Sequence, residues 1–270
     1  MDNPKISVLM PAYNTEKYIG EAIESILNQT FKDFEFIIID DCSTDNTWEI
    51  IQGYVKKDER IIVLRNKKNS KICKTLNRGI DIAKGKYIAR MDADDWSYPD
   101  RFEKQFKFME NNPEVVISGG TMEVCDEKMD LLNQRKYNLT DGEIRKKLFR
   151  YSPFCHATTI YKTKIVKKIN GYDEMFYVAQ DYDFYFRLGM HGKFGNLKDI
   201  LYKLRTHPES LSSKKTRIQE KFTLMIRKKA VKEYGYKMNL TDRFYFIGQY
   251  LSMFLIPSKI KFWLFNLIRK

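Results

Sequence analysis

The 270-residue chain lacks the long hydrophobic runs of membrane-spanning and secreted proteins. No stretch reaches the roughly 20 apolar residues that a helix needs to cross a bilayer. The first apolar stretch, Ile6–Ala12, is short and contains Pro11, so it does not resemble a signal peptide. We therefore expect the chain to act in the cytoplasm.

Closely spaced cysteines and glycine-rich motifs are also absent. The four cysteines stand too far apart in the sequence for a zinc site or a redox pair, and we expect reduced thiols. No glycine-rich fingerprint follows the first predicted strand, which argues against a Rossmann dehydrogenase. The length suits one large domain, with or without an appendage.

Positive charge is plentiful but unevenly placed. The formal net charge is +13, yet residues 214–270 hold 14 Lys or Arg and three Asp or Glu, which gives +11. Residues 1–213 are nearly neutral at +2. A basic balance of this size would indicate nucleic-acid binding only if it covered the functional surface. We therefore predict no nucleic-acid partner.

Hydrophobic spacing predicts alternating strands and helices in the first 119 residues. Residues 36–39 are continuously apolar, as in a strand that is covered on both faces. The predicted strands cover residues 6–10, 34–39, 61–64, 87–91 and 115–118, and the predicted helices cover residues 16–28, 47–56, 75–83 and 101–110. This alternation implies an α/β fold with a Rossmann-like, mostly parallel sheet flanked by helices.

Polar or acidic clusters follow three of these strands. Residues 11–14 follow the first, Asp40 and Asp41 the second, and residues 92–95 the fourth. Ligands of open parallel sheets bind outside the carboxyl ends of the strands. Neighbouring carboxylates repel one another unless a cation binds them, so these clusters predict a divalent cation and a phosphorylated ligand. The alternative is an acidic loop before a helix that begins near Asp100.

Five ordered motifs resemble those of the inverting glycosyltransferases called family 2, which have a GT-A fold. The motifs are residues 6–14, 39–47, 91–95, 180–183 and 205–207. The resemblance covers roughly the first 210 residues. It implies a catalytic domain over residues 1–213, with a nucleotide-sugar half at about 1–119 and an acceptor half at about 120–213.

By this resemblance, the ends of the first two strands hold the nucleotide. The backbone of Pro11, Ala12 and Tyr13 and the carboxylate of Asp41 would contact the base. A carboxylate can accept the imide N–H of uracil, so we expect a UDP-sugar as donor. The resemblance also implies a group of ribose and phosphate contacts: Asp92, Ala93, Lys71, Lys74, Asn77 and Arg205.

The resemblance further implies a metal and a base. Mn²⁺ or Mg²⁺ would be held by Asp94 and His207 and would neutralise the departing diphosphate. Asp181 is the candidate general base that takes the proton of an acceptor hydroxyl. Its alternative role is that of an aspartate at a helix start. Relatives usually have Glu before this Asp, whereas this chain has Gln180.

Residues 214–270 form a basic amphipathic helical tail in this interpretation. Phe244, Ile247, Leu251 and Phe254 share one helical side, and a second apolar block at residues 260–268 is edged by lysine and arginine. Aromatic anchors with cationic flanks suit a helix at a membrane interface. We expect peripheral attachment to the inner face of the plasma membrane and a saccharide or polyprenyl-linked acceptor. Packing on protein is the alternative.

Two other functions stay open at this point. A sugar-1-phosphate nucleotidyltransferase also joins nucleotide recognition to a metal, but it normally opens with a glycine-rich, arginine-containing loop that residues 11–14 do not supply. A non-enzymatic basic protein that binds membranes or nucleic acid would leave the acidic clusters unexplained. We therefore favour a glycosyltransferase that builds a surface polysaccharide or glycolipid.

Overall fold

The computed structural model describes residues 3–207 and 216–255. Its strands are β1 (Ile6–Ala12), β2 (Phe34–Asp40), β3 (Ile61–Arg65), β4 (Tyr87–Arg90), β5 (Trp96–Ser97), β6 (Val115–Cys125), β7 (Leu131–Arg135), β8 (Ile160–Lys162) and β9 (Lys193–Arg205). Its helices are α1 (Ile19–Leu27), α2 (Thr47–Val55), α3 (Lys71–Ile82), α4 (Arg101–Asn111), α5 (Asp141–Lys147), α6 (Thr163–Lys168), α7 (Gln180–Gly189), α8 (Thr216–Lys232) and α9 (Leu240–Leu255). The predicted α/β fold is confirmed.

These strands join one sheet in the order β3-β2-β1-β4-β8-β6-β9-β5, and β7 pairs with part of β6. The pairs among β3, β2, β1 and β4 are parallel, and so is the pair of β6 with β9. β8 runs antiparallel to β4 and β6, and β5 and β7 are antiparallel to their partners. The sheet is therefore mostly parallel, with antiparallel additions.

The parallel direction brings polar chain segments to one edge of the sheet. β1 and β2 end side by side, with Ala12 opposite Asp40. β9 ends at Arg205 beside the end of β6. A one-turn 3₁₀ helix, His156–Thr158, precedes the antiparallel β8, and the backbone N–H of Arg90 donates to the Thr159 carbonyl at 2.8 Å. The segments that follow β1, β2, β4 and β9 therefore lie at the same edge as this turn.

Apolar side chains leave the central strands on both faces. In β2, Phe34, Phe36 and Ile38 join one core cluster, which includes α1 and α4, while Ile37 and Ile39 join a second cluster with α3 and α7. Both faces are covered, so the continuous apolar run at residues 36–39 is explained. The two helical layers hold the carboxyl ends of the strands in place.

Two element boundaries differ from the sequence prediction by more than three residues. β6 continues to Cys125 instead of ending at residue 118, because β9 pairs along its length. α3 begins at Lys71 instead of residue 75, and the Asp41 carboxylate accepts the backbone N–H groups of Ser70 and Lys71 at its start. Both boundaries depend on partners that are distant in the sequence, which local patterns do not register.

The two C-terminal helices continue the fold on the α7 side. α8 packs against α7, and α9 packs against α8. Within residues 3–207 and 216–255, no helix combines the length and the apolar character that crossing a membrane requires. The predicted boundary at 213/214 and the second apolar block at 260–268 lie outside the described residues.

A pair of glycine substitutions tests the close packing of α3 on the sheet. A Cβ at Gly79 would overlap the methyl carbons of Leu9 and Ile39, whereas a Cβ at Gly53 in α2 meets nothing within 4 Å. We expect Gly79→Ala to lower the free energy of unfolding by about 1–3 kcal/mol. Gly53→Ala, the control, should raise it by about 0.5–1 kcal/mol. Urea unfolding of both variants is the measurement, and equal effects would contradict this packing.

Candidate functional site

The loop that follows β4, residues 92–95, presents three carboxylates. Asp95 is buried, and its Oδ1 accepts the backbone N–H of Arg205 at 2.7 Å. Asp92 and Asp94 keep 35% and 27% of their side-chain surface exposed. Burial, followed by the charges of Asp94 and Asp92, raises the pKa of Asp95 well above its ordinary value. We call this segment the acidic loop, and it concentrates negative charge at the sheet edge.

The end of β9 clamps the acidic loop. The Arg205 Nε donates to the Asp94 carbonyl at 2.9 Å, and its Nη1 donates to the Glu127 carbonyl at 2.5 Å. Its Nη2 pairs with the carboxylate of Glu21. His207 Nε2 lies 3.0 Å from Asp94 Oδ2. Both predicted residues thus reach the loop, and the Arg205 guanidinium could contact a diphosphate only by exchanging its ion pair with Glu21.

Two buried arginines support the acidic loop from within the protein. Arg90 is 2% exposed, and its Nη2 lies 2.5 Å from Asp92 Oδ1. The Arg101 Nη2 donates to the Arg90 carbonyl at 2.7 Å, and burial lowers the pKa of Arg101 to about 10. The hydroxyl of Tyr202 accepts the backbone N–H of Asp92 at 3.1 Å. Our sequence reasoning missed this support, although a charged Arg90 inside an apolar strand was an available signal.

Asp41 sits at the end of β2 with both carboxylate oxygens engaged. Oδ1 accepts the Ser70 N–H and the Asn66 amide, each at 2.7 Å, and Oδ2 accepts the Lys71 N–H at 3.0 Å. Asp41 therefore stabilises the start of α3. Among the described residues Oδ2 accepts one hydrogen bond, from the Lys71 N–H, and it can accept another. The neighbouring Asp40 is fully buried and pairs with Arg65, so its role is structural.

The segment after β1 borders Asp41, as expected of a nucleotide-binding edge. The Ala12 carbonyl accepts the Asp41 N–H at 2.8 Å. Pro11 is half-buried, and Tyr13 exposes 45% of its surface. The Asn14 N–H donates to Ser43 Oγ at 3.0 Å and ties the two loops together.

Lys74 and Asn77, two residues of α3 that were expected to contact phosphate, have different surroundings. The Lys74 ammonium lies 3.5 Å from a Glu174 carboxylate oxygen, in an exposed pair that can exchange. The Asn77 side chain is occupied, since it accepts the Tyr172 N–H at 2.7 Å and donates to the Tyr172 carbonyl at 2.9 Å. Asn77 therefore holds the chain before α7 instead of offering a free phosphate donor.

Asp181 lies in the first turn of α7. Ala179, just before this helix, has a left-handed φ of 62°, a conformation that costs a non-glycine residue about 1–2 kcal/mol. Burial, together with a smaller effect of the Asp92 charge, raises the pKa of Asp181 to about 6, against the opposing effect of nearby backbone N–H groups. Such a carboxylate is ionised at neutral pH and is basic enough to accept a proton.

Left-handed, non-glycine residues gather at this edge of the sheet. Asn14, Cys42 and Lys71 have φ values of 52°, 64° and 70°, and Ala179 joins them. They flank β1, Asp41, the start of α3 and the start of α7 respectively. Strained backbone of this kind is common where a site is pre-organised.

A cluster of buried polar side chains lies beside α7, the helix that carries Asp181. We call it the polar wall, and it consists of His156, Tyr161, Tyr172 and Tyr185. His156 Nε2 is 2.7 Å from the hydroxyl of Tyr172, which is 3.3 Å from the hydroxyl of Tyr161. Burial, and then the charge of Arg90, lowers the pKa of His156 well below its ordinary value, so this ring is neutral at pH 7. The hydroxyl of Tyr185, one turn after Asp181, is buried without a hydrogen-bond partner in the described part of the chain. The tyrosines carried no sequence signal beyond their abundance.

Asp183 and Arg187, one turn apart in α7, are buried in the protein interior. Asp183 is fully buried; its Oδ2 accepts from Arg187 Nε at 2.7 Å, and its Oδ1 accepts from the Tyr234 hydroxyl at 2.9 Å. Arg187 also donates to the Ile169 and Gly171 carbonyls. Asp183 therefore anchors α7.

The residues at the front of the acidic loop fit a divalent cation. No group of three or more His, Cys, Asp or Glu side chains within the described residues is placed to hold a metal by itself. Mg²⁺ usually takes one or two carboxylates together with substrate phosphates, and neighbouring ligands about 2.1 Å from an octahedral ion are about 3.0 Å apart. Asp94 Oδ2 and His207 Nε2 are separated by 3.0 Å. This pair can therefore supply two neighbouring ligands.

The described edge combines three chemical capacities. The adjoining ends of β1 and β2, at residues 11–14 and Asp41, offer backbone groups and a carboxylate acceptor for a planar base. The acidic loop and His207 can take a cation and, with it, a diphosphate. Asp181 can remove a proton from a hydroxyl group. Together these groups suit displacement at a carbon that carries a nucleoside diphosphate.

Comparisons with known proteins agree with this geometry. The family model described as "Glycosyl transferase family 2" matches residues 7–170. An uncharacterized glycosyltransferase of Methanocaldococcus jannaschii is 38% identical, over 96% of this chain and 92% of that protein.

Two solved structures show the same fold. S. aureus TarS 1-349 in complex with UDP-GlcNAc has a TM-score of 0.68 at 20% identity, covering 95% of this chain and 82% of that one. The mannosyltransferase PcManGT from Pyrobaculum calidifontis, in complex with GDP-Man and Mn²⁺, has a TM-score of 0.67 at 14% identity, covering 94% and 71%. The predicted GT-A fold is confirmed.

Removal of Asp183 tests the anchoring of α7. Asp183→Ala leaves Arg187 buried without its carboxylate, so we expect the free energy of unfolding to fall by about 3–5 kcal/mol. Glu114→Ala is the control, because its pair with Lys193 is exposed and should be worth about 0.2–1 kcal/mol. Denaturant unfolding compares the two variants. A small loss for Asp183→Ala would show that this buried pair does not hold the helix.

Proposed function

Because the chain belongs to glycosyltransferase family 2, we propose a specific reaction for it: inverting transfer of a sugar from a UDP-sugar to an acceptor hydroxyl, with Mn²⁺ or Mg²⁺ bound. The observation that carries this proposal is Asp181, a carboxylate of raised pKa within the electrostatic influence of the acidic loop. Neither a nucleotidyltransferase nor a non-enzymatic basic protein accounts for the family membership.

In the proposed reaction Asp181 acts as the general base. It takes the proton of the acceptor hydroxyl, whose oxygen forms a bond to the anomeric carbon. The bond from that carbon to the diphosphate oxygen breaks, and the nucleoside diphosphate leaves with the electron pair from the opposite face. A single displacement of this kind inverts the anomeric configuration. Gln180, a neutral neighbour, adds no negative charge beside the base.

The proposed donor contacts follow the geometry of the sheet edge. Pro11, Ala12 and Tyr13 border the base, and Asp41 accepts the imide N–H of uracil at its available oxygen. This is the reason to prefer UDP, and the UDP-GlcNAc complex of TarS supports it. The proposed ribose and phosphate contacts are Asp92, Ala93, Lys74 and Arg205.

Asp94 and His207 would hold the cation, whose charge offsets that of the leaving diphosphate. The Mn²⁺ in the PcManGT complex supports a metal of this class. Asp92, already paired with Arg90, is oriented beside them.

The proposed acceptor is a saccharide, or one carried on a polyprenyl or other lipid anchor, for a surface polysaccharide or glycolipid. The acceptor half, at about residues 120–213, would bind it, since it carries Asp181 together with the buried polar side chains of His156, Tyr161, Tyr172 and Tyr185. The basic tail over residues 214–270 would keep the enzyme at the inner face of the plasma membrane, where a lipid-linked acceptor is found.

Asp94→Ala tests the cation site. Removal of one of two protein ligands should abolish the metal-dependent part of UDP binding, because the diphosphate charge is then poorly neutralised. Calorimetric titration of UDP with and without Mn²⁺ measures this, with Asp199→Ala as the control for an exposed aspartate paired with Lys104. Retention of metal-dependent affinity in the Asp94 variant would falsify the assignment. A parallel GDP titration tests the preference for uracil.

Asp181→Asn tests the general base. The amide keeps the shape but cannot accept the proton, so turnover should fall about 10²- to 10⁴-fold while UDP affinity stays unchanged. Since Asp181 has a pKa of about 6 and must be ionised, wild-type turnover should decline as the pH falls through about 6. The titratable groups that interact electrostatically with the Asp181 carboxylate are Asp92, Tyr185 and Cys73. Near wild-type turnover in the variant would assign the base elsewhere.

A further inference from the structure

Helix α9 is oriented with polar side chains toward the protein and apolar ones toward solvent. Asp242 is only 3% exposed, and its Oδ1 lies 2.8 Å from Arg150 Nε. Two turns later, Gln249 Oε1 accepts from Arg227 Nη1 at 2.5 Å. These two contacts fix the rotation of α9 about its axis, because each joins an inward side chain to an arginine on another part of the fold.

The opposite face of α9 is an exposed apolar stripe. Its members recur at helical spacing and each exposes about half to three quarters of its surface: Leu240, Phe244, Ile247, Leu251, Phe254 and Leu255. A surface helix of a globular protein normally has the reverse arrangement. A contiguous exposed patch of this kind indicates a binding surface. We call these six residues the α9 stripe.

The charge around the α9 stripe selects its occupant. Exposed cationic side chains occur in α9 and in the residues before it: Arg243 lies in α9, Lys237 lies just before it, and Lys228 and Lys232 lie on α8. The whole segment 214–270 carries +11. A second copy of the chain, docked through the same surface by a two-fold axis, would bring two such segments together, and like charges repel. A negatively charged, apolar surface has the complementary character.

We propose that the α9 stripe inserts into the interfacial layer of an anionic lipid bilayer, while the contacts of Asp242 and Gln249 hold the helix flat on the catalytic domain. Large apolar and aromatic side chains with cationic neighbours suit this position. This inference identifies the surface through which the proposed membrane attachment would occur. It rests on the proposed function only for the location of the acceptor.

The same contacts connect the bilayer surface to the helix of the general base. Arg227, which holds Gln249, also donates from Nε to the Tyr182 hydroxyl at 3.2 Å. Tyr182 is the residue after Asp181 in α7. A bilayer bound at the α9 stripe is therefore two side-chain contacts away from the base helix. This arrangement sets a fixed relation between the lipid surface and the acceptor side of the site.

The test is the double substitution Phe244→Ser with Phe254→Ser in the full chain. Both side chains are more than 70% exposed, so the fold should tolerate their loss. The matched control is Leu131→Ser with Leu132→Ser on the exposed strand β7, which removes apolar surface elsewhere. Co-sedimentation uses vesicles of phosphatidylcholine alone and vesicles with equal parts of phosphatidylglycerol, at low and high salt.

We expect the wild type and the control to bind the anionic vesicles more tightly than the neutral ones, with partial loss at high salt. The Phe244 and Phe254 variant should bind at least about tenfold more weakly. Sedimentation equal to that of the wild type would overturn the proposal. So would a wild-type dimer, seen by light scattering, that the double variant alone converts to monomer.

Donor binding separates this inference from the proposed function. UDP titration without vesicles should give the same affinity for wild type, control and double variant, because none of the substituted residues is among the proposed donor contacts. Lost vesicle binding with unchanged UDP affinity supports the α9 stripe. Vesicle binding by a protein that binds no UDP would leave the stripe in place and overturn the proposed reaction instead.

Discussion

Repulsion between carboxylates is the constraint on which the sheet edge depends. Three aspartates follow β4 within four residues, and Asp181 adds a fourth negative charge within their influence. The protein offsets this charge from behind with Arg90 and from the side with Arg205. Those guanidiniums are buried, and each contacts an atom of the acidic loop. These contacts hold the acidic loop in place, while Asp92 and Asp94 at its front stay partly exposed.

The arginines near the acidic loop and the proposed metal ion would have different functions. The fixed arginines are occupied by carbonyl and carboxylate oxygens, so they orient the acidic loop and are poorly placed to follow a departing diphosphate. In the proposed reaction, a divalent ion at Asp94 and His207 would arrive and leave with the nucleotide. On that proposal, a site with several arginines nearby would still benefit from a metal. For the same reason Lys74, in an exposed and exchangeable pair, is the better placed of the phosphate donors proposed among the protein's own residues.

Sequence patterns predicted the features that depend on neighbouring residues. The continuous apolar run of β2 and the acidic loop after β4 could be located because burial on both faces and charge density are local properties. The full length of β6 and the start of α3 could not, since each depends on a partner far along the chain. The apolar side of α9 was likewise predicted, but its direction depends on Arg150 and Arg227.

Helix α7 shows how one short element can serve the site and the scaffold together. With 3.6 residues per turn, Asp181 and Tyr185 share one face, whereas Asp183 and Arg187 share another. The first face meets the polar wall, and the second is fastened to the chain before α7 and to Tyr234. Between them, Tyr182 contacts Arg227 of the tail. Asp181, the proposed base, therefore lies on a helix that is anchored from two directions, which limits the freedom of its carboxylate and links its position to the surface formed by α9.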